Sequence, residues 1–310
     1  MASHLARRVP LIGFAALLSG CNTVVMHPAG DIAVQQAQLI VVATALMLII
    51  IIPVIACTLL FAWRYRQGNK AATYTPEWNH STQLELLIWG APLLIIIALG
   101  LVTWISTHTL DPYRPLTRID AQRPVAPNTR PLQVEVVALD WKWLFIYPEL
   151  GIATVNELVT PVDVPVQFKI TAETVMNSFY VPALAGQIYA MPGMETSMHA
   201  VLNQPGQFTG FSANYSGAGF SDMRFTMHGL SAADFDKWVT RTRAGGGALD
   251  RSAYQQLQKP SIKDSVKRYA SVAPDLFAAI VNRCATPGSA CMNEQMAMPA
   301  TAMAPGHHHN

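Results

Sequence analysis

Thiols, imidazoles and isolated carboxylates are the groups in this 310-residue chain with chemistry of their own: four cysteines, nine histidines and 19 acidic residues. Cys21 closes the segment Leu18-Ser19-Gly20-Cys21, which follows Arg7, Arg8 and an apolar run over residues 9–18. A basic start, an apolar stretch and small residues directly before a cysteine read as a bacterial lipoprotein signal. Residues 1–20 are therefore predicted to be removed and the Cys21 thiol to be lipidated. A diacylated and N-acylated cysteine buries enough methylenes for stable anchoring in a bilayer; the alternative is a plain signal peptide with an incidental cysteine. Cys57 lies inside an apolar span and has the character of a small core residue. Cys284 and Cys291 bracket ATPGSA, a turn-forming segment. In an oxidising compartment they are candidates for a short-loop disulfide, with free thiols the alternative. Glu85 stands at the start of an apolar run, close to Glu77 and His80; its plain reading is a helix-initiating acid beside the positive end of the helix dipole. His307 to His309 end a tail rich in Met, Ala and Pro and are assigned no function.

These groups are positioned by a chain that is 51% hydrophobic and only 13% charged, a composition that predicts membrane segments. Residues 39–63 and 86–107 are dominated by uncharged apolar runs, each long enough to cross about 30 Å of hydrocarbon as a helix. Pro53 and Pro92 fall inside them, where neighbouring helices can satisfy the freed carbonyls, and Trp63 and Trp104 sit near their ends as interface anchors would. The connecting loop, residues 64–85, carries Arg64, Arg66 and Lys70, whereas residues 22–38 carry no Lys or Arg. The positive-inside bias puts that loop in the cytoplasm and both chain ends, including residues 21–38, in the periplasm of a bacterial inner membrane.

From residue 132 the texture changes to alternating apolar and polar residues broken by Pro and Gly: LQVEVVAL, DWKWLFIY, PVQFKITA, TSMHAVLN. This predicts an antiparallel β-sandwich or barrel within residues 108–230. Trp141, Trp143, Phe145 and Tyr147 recur at every second position and are expected to share one face of a strand, packing the sandwich. Ser231 to Asp234 reads as a capping box opening a helix to about residue 243, and a second helix is expected over 275–283. Residues 231–291 are thus expected to be a helical region, with Gly245 to Gly247 as a flexible joint, and 292–310 a disordered tail. From residue 108 onward sixteen acidic residues balance sixteen basic ones, with no acidic excess to dock a basic partner and basic groups too scattered for nucleic acid.

Residues 210–223 read GFSANYSGAGFSDM and residues 173–182 read ETVMNSFYVP. The first stretch resembles, in register, the CuA loop of subunit II of haem-copper oxidases, G-Q-C-x-E-x-C-G-x-x-H-x-x-M, and the second resembles the upstream histidine motif of that family. The resemblance places the bridging cysteines on Ser212 and Ser216, the glutamate on Asn214, the loop histidine on Phe220 and the upstream histidine on Asn177, keeping only Met223. A mixed-valence copper pair needs deprotonated thiolates and imidazoles, and a serine hydroxyl is neither soft nor ionised near neutral pH. DWKW over 140–143, YPE over 147–149, GIATVNE over 151–157, MNSF over 176–179 and QIYAM over 187–191 are similar to the quinol-oxidising branch, the cytochrome bo-type ubiquinol oxidases, whose subunit II lacks this copper.

The resemblance implies a cupredoxin-like Greek-key sandwich behind a two-helix transmembrane hairpin. It also implies membership of a proton-pumping complex that oxidises ubiquinol and reduces oxygen to water. This chain would hold no cofactor, act as a structural and assembly subunit, and have no cytochrome c partner. The haems, the remaining copper and the main quinol contacts would belong to subunit I. In that family a glutamate at the place of Glu85 lies by the mouth of a proton-uptake channel, so Glu85 is a candidate proton collector. Two alternatives stay open: a CuA-type cytochrome c oxidase subunit with a rebuilt site, for which His199 and His228 are the only other histidines within the sandwich, and a stand-alone membrane-tethered copper-binding lipoprotein using the Met- and His-rich tail.

Overall fold

The computed structural model describes residues 23–297 except 74 and 287, so Cys21 and His307 to His309 lie outside the described residues. The chain divides into two compact units, Gln35–Arg114, and Met1–Val34 with Pro115–Asn310. The first unit holds most of α1 (Asp31–Arg64) and all of α2 (Thr82–Thr109), both long and apolar enough to cross a membrane. Each outruns the apolar stretch read from sequence, because helical bonding continues into polar ends. Asp31 begins α1, so the N-terminal segment 21–38 is helical over its second half. Ser81 caps α2 by accepting the Leu84 N–H at 3.5 Å, and the Thr107 and Thr109 hydroxyls donate to the Thr103 and Ile105 carbonyls. Pro53 and Pro92 lie inside these helices without ending them.

The second unit is a sandwich. Its larger sheet contains β1 (Leu132–Leu139), β2 (Lys142–Tyr147), β3 (Ile152–Val155), β5 (Pro165–Ala172), β8 (Thr196–Val201), β11 (Gly247–Leu249) and β12 (Lys267–Val272), in the order β11-β12-β3-β2-β1-β5-β8. The smaller contains β4 (Glu157–Pro161), β6 (Asn177–Tyr180), β7 (Ile188–Ala190), β9 (Gly206–Ser212) and β10 (Arg224–Leu230), in the order β4-β10-β9-β6-β7. β1 pairs antiparallel with β2 but parallel with β5, and β10 pairs antiparallel with β9 but parallel with β4. The two parallel pairs make each sheet mixed, where the sequence alternation predicts purely antiparallel pairing; the crossovers between the sheets keep the expected sandwich.

Between the sheets lies an aromatic core. Trp143 meets Phe179 edge-on at 5.5 Å, and Phe179 stacks on Phe225 at 5.5 Å. Helices α3 (Ala232–Gly245), α4 (Arg251–Leu257), α5 (Leu276–Val281) and α6 (Met292–Ala297) follow. Tyr254 and Leu257 of α4 and Leu276, Phe277 and Ile280 of α5 cover the outer face of the larger sheet, packing with Val137, Leu139, Leu144 and Ile146. This is why every residue of β2 is buried rather than alternate ones. Even Lys142 is 1% exposed; its ammonium donates to the Lys259 carbonyl at 2.8 Å and bonds the Ser261 hydroxyl, and burial lowers its pKa.

Three expectations are corrected. Residues 231–291 are not purely helical: β11 and β12 extend the larger sheet, with β12 pairing on β3, because the sheet edge supplies backbone partners. Within the Gly245 to Gly247 joint, Gly246 is packed, since a Cβ there would lie 2.4 Å from the Ala270 backbone nitrogen, whereas Gly245 and Gly247 face open space and Gly247 opens β11. Residues 292–297 form α6 rather than part of a structureless tail.

A short N-terminal stretch belongs to the sandwich as well. Ala29 is buried in the inter-sheet core, and the Ala29 and Gly30 N–H groups donate to the Ala183 carbonyl at 2.8 and 3.0 Å. The Asn203 N–H returns a bond to the Ala29 carbonyl at 2.8 Å. Gly30 has to be glycine, since a Cβ there would sit 2.6 Å from the Val201 carbonyl oxygen and 2.7 Å from that of Leu184.

Candidate functional site

Pairing of Phe179 with Ser212 puts β6 beside β9, and β10 flanks β9 on its other side. Asn177 at the head of β6, Ser212 at the end of β9 and Met223 just before β10 therefore meet at one end of the smaller sheet. Gly210 allows that approach, because a Cβ there would fall 2.0 Å from the Phe225 ring. The Ser212 hydroxyl lies 3.0 Å from Asn177 Oδ1 and 3.2 Å from the Asn214 carbonyl, and accepts the Ser178 N–H at 3.4 Å. Its single proton goes to one of the two oxygens. The Asn177 amide donates to the Val175 carbonyl at 3.1 Å, and Asn214 donates to the Met176 carbonyl at 3.2 Å. Asn177 and Ser212 are each 2% exposed and Met223 is fully buried.

The structure thus brings Asn177, Ser212, Asn214, Ser216 and Met223 together, with Ser216 Oγ 3.9 Å from Met223 Sδ. Phe220 sits on a one-turn helix with its ring 5.6 Å from Tyr215. The frame is held from below by Trp141, a residue that alternation alone placed on the β2 face. Instead Trp141 occupies the turn before β2 with φ of 65°, and its indole N–H donates to the Ser216 carbonyl at 3.1 Å. Gly219 lies flat on that indole, where a Cβ would come within 2.4 Å of the ring. No sequence period reveals this link.

A dinuclear copper does not fit these residues. Two hydroxyls, a carboxamide and a phenyl ring occupy the ligand positions, and the one remaining thioether is a weak donor. The buried polar atoms of Asn177 and Ser212 are already satisfied by each other and the backbone, as buried polar groups must be. Among the described residues no three His, Cys, Asp or Glu side chains come together. His228 lies 3.9 Å from Glu157, whose carboxylate is gripped by Arg268 through two bonds of 2.7 and 2.6 Å.

The remaining candidate residues lie apart from this loop. Glu85 falls in the first turn of α2, and His80 Nδ1 is 2.8 Å from its Oε1. Cys284 and Cys291 are joined as a disulfide, with Cα atoms 4.8 Å apart, tying α5 to the segment before α6. Above the larger sheet a cavity of about 410 Å³ is lined by Glu135, Lys169, Glu195, Asp275 and Phe277. There burial, opposed by Lys169 and reinforced by Glu195, pushes the Glu135 carboxyl up to about 7.

Residues 147–230 match the family described as cytochrome c oxidase subunit II, periplasmic domain, and residues 243–288 match the COX aromatic rich motif. The chain is 52% identical, over 89% of its length and 84% of the relative's, to cytochrome bo(3) ubiquinol oxidase subunit 2 of Pseudomonas putida. It is 48% identical to ubiquinol oxidase subunit 2 of Acetobacter aceti, over 91% of this chain and 90% of that one. The chain belongs to the ubiquinol oxidase subunit 2 family. For this family the resemblance read from DWKW, GIATVNE and QIYAM holds, and the CuA-type alternative is not favoured. The chain's aromatic-rich region coincides with β11, α4, β12 and α5, the elements that extend and seal the larger sheet, with Tyr254 and Phe277 at the seal. This chain accordingly combines two helices long and apolar enough to cross a membrane with a cupredoxin-type domain, whose copper-loop frame is closed by hydrogen bonds.

Proposed function

We propose that this chain serves a proton-pumping ubiquinol oxidase as a structural subunit that carries no electrons. The observation behind this reading is the loop itself: Asn177, Ser212 and Ser216 keep the frame of a copper site and fill it with a closed polar network around a buried thioether. Electrons from quinol would reach the haems and copper of the partner subunit I directly, and the sandwich would cap that subunit's outer face.

The hairpin orientation rests on two supports. Arg64, Arg66 and Lys70 in the connecting loop favour the cytoplasm. The bonds from Ala29 and Gly30 to Ala183 support a topology in which the segment before α1 and the domain after α2 share one side of the membrane. Lipidation at Cys21 would add an anchor on that periplasmic side. Glu85, at the cytoplasmic start of α2, would collect protons for subunit I.

The test is oxygen uptake by the purified complex containing this chain, with reduced ubiquinol or reduced cytochrome c as donor. Uptake with quinol alone is expected. Uptake with cytochrome c would overturn the reading, because it requires an electron acceptor that the loop residues do not provide.

A further inference from the structure

We propose that His80 is the proton-exchange partner of Glu85, so that the turn leading into α2 works as a two-group proton collector. The inference rests on the reading of Glu85 as a collecting group and adds the residue that feeds it.

Three observations support the pairing. Ser81 fixes the start of α2 by accepting the Leu84 N–H, which sets His80 just outside the helix and Glu85 in its first turn. The His80 ring is held at both nitrogens: Nδ1 is 2.8 Å from Glu85 Oε1, and Nε2 is 3.2 Å from the Thr82 hydroxyl. The side chains of His80 and Glu85 are 62% and 53% exposed, too open for their ion pair to contribute much to stability but well placed to exchange protons with water.

These contacts define the ring's chemistry. An ionised carboxylate only accepts, so Nδ1 carries a proton toward Glu85, and in the neutral ring Nε2 is the acceptor of the Thr82 hydroxyl proton. A proton from bulk water added at Nε2, as Thr82 turns away, gives imidazolium. The imidazolium then passes its Nδ1 proton to the Glu85 carboxylate, leaving neutral imidazole and a carboxylic acid. Glu85 hands that proton to the partner subunit and returns to carboxylate, while the exposed ring regains its first tautomer by exchange with water. Over the whole cycle one proton enters from water and one leaves to the partner subunit.

Imidazole suits the task because its charge changes between pH 5 and 8, where a carboxylate alone is almost always empty. Among the described residues, His80 and Glu85 form the sole ion pair within 64–85. The other charged groups of that loop are Arg64, Arg66, Lys70 and Glu77, and Arg66 is engaged with the Trp63 carbonyl.

The experiment is quinol-driven oxygen uptake by the purified complex from about pH 6 to pH 9, for wild type, His80→Asn and Glu85→Gln. His80→Asn is expected to stay within about twofold of wild type near pH 6. Near pH 8.5, where protons are scarce, it should fall about fivefold or more below wild type, with added imidazole restoring the rate. Glu85→Gln should be slow throughout and insensitive to imidazole. A His80→Asn profile that follows wild type while Glu85→Gln is slow overturns the relay and leaves the Glu85 reading standing. Glu85→Gln following wild type overturns both. A loss in His80→Asn that is equal at every pH and not rescued by imidazole shows a merely structural role and also overturns the relay. Should His80→Asn fail to assemble, His80→Gln is read by the same criteria.

Discussion

Arg118 holds Asp31 through two parallel hydrogen bonds, Nε to Oδ2 at 2.8 Å and Nη2 to Oδ1 at 3.0 Å, across 87 residues of sequence. The Asp31 side chain is 4% exposed and that of Arg118 is 40% exposed. Asp31 is also the first residue of α1, where a carboxylate meets the positive end of the helix dipole. Arg118→Ala is expected to lower stability by about 2 to 3 kcal/mol, somewhat less than for a fully buried pair, because it removes the two charge-assisted bonds that Arg118 gives a buried carboxylate. Arg118→Lys should recover only part, since an ammonium cannot bridge both oxygens. Thermal melting of the detergent-solubilised chain reads both variants, and an unchanged Tm for Arg118→Ala would show that the pair contributes nothing.

Converting the loop back tests the ligand argument. Asn177→His, Ser212→Cys, Ser216→Cys and Phe220→His combined place two thiolates and two imidazoles around the retained Met223 thioether. The fourfold variant is expected to bind copper with intense visible absorption, and wild type to show none at the same copper concentration. Such absorption in wild type would mean that soft ligands exist elsewhere in the chain.

The Glu135 carboxyl supplies a pH dependence. Its pKa in the folded domain is pushed up to about 7 from 4.5, chiefly by burial. Between those values the folded state holds a proton that the unfolded chain releases. This contribution to stability is therefore complete below about pH 4.5 and lost as pH rises through about 7. After discounting for the group's partial exposure, the loss is about 1 to 2 kcal/mol. Melting at pH 5 and pH 8 should show a larger drop for wild type than for Glu135→Gln; equal drops would remove Glu135 as the cause.

Reduction of the Cys284–Cys291 bond opens a loop of sequence separation 7, worth about 2 to 3 kcal/mol of local stability on chain-entropy grounds. Residues 284–297 are expected to become protease-sensitive with reductant, while the β-sandwich keeps its melting transition. Identical cleavage with and without reductant would show that packing alone holds this segment.

Much of the architecture was legible because local patterns and tertiary needs agreed. β1, β5 and β8 lie within the segments where alternation was read, and Ser231 caps α3 as the capping box predicts, accepting the Asp234 N–H at 3.2 Å. The loop positions converge because strand pairing carries their spacing into space. Where reading failed, a distant partner decided the outcome. β12 is a strand because β3 offers it an edge, and Trp141 leaves the strand to support a loop 75 residues further on. Lys142 is buried because carbonyl and hydroxyl groups more than a hundred residues away receive its ammonium. The boundaries of α1 and α2 were read short because hydropathy reports the apolar middle of a helix, whereas hydrogen bonding runs on through its polar turns.

The contact of Ala29 and Gly30 with Ala183 and Asn203 makes the order of synthesis matter. The plug that closes the sandwich is translated before either long helix, and the socket that receives it after both. The seam at Ala183 and Asn203 is therefore completed only when residues 29 and 30 meet the domain that follows α2. A fragment starting at residue 115 would be born with an open seam at Leu184 and Val201. In the proposed topology, completion of the β-core would register that both long helices had been inserted with their outer ends on one side.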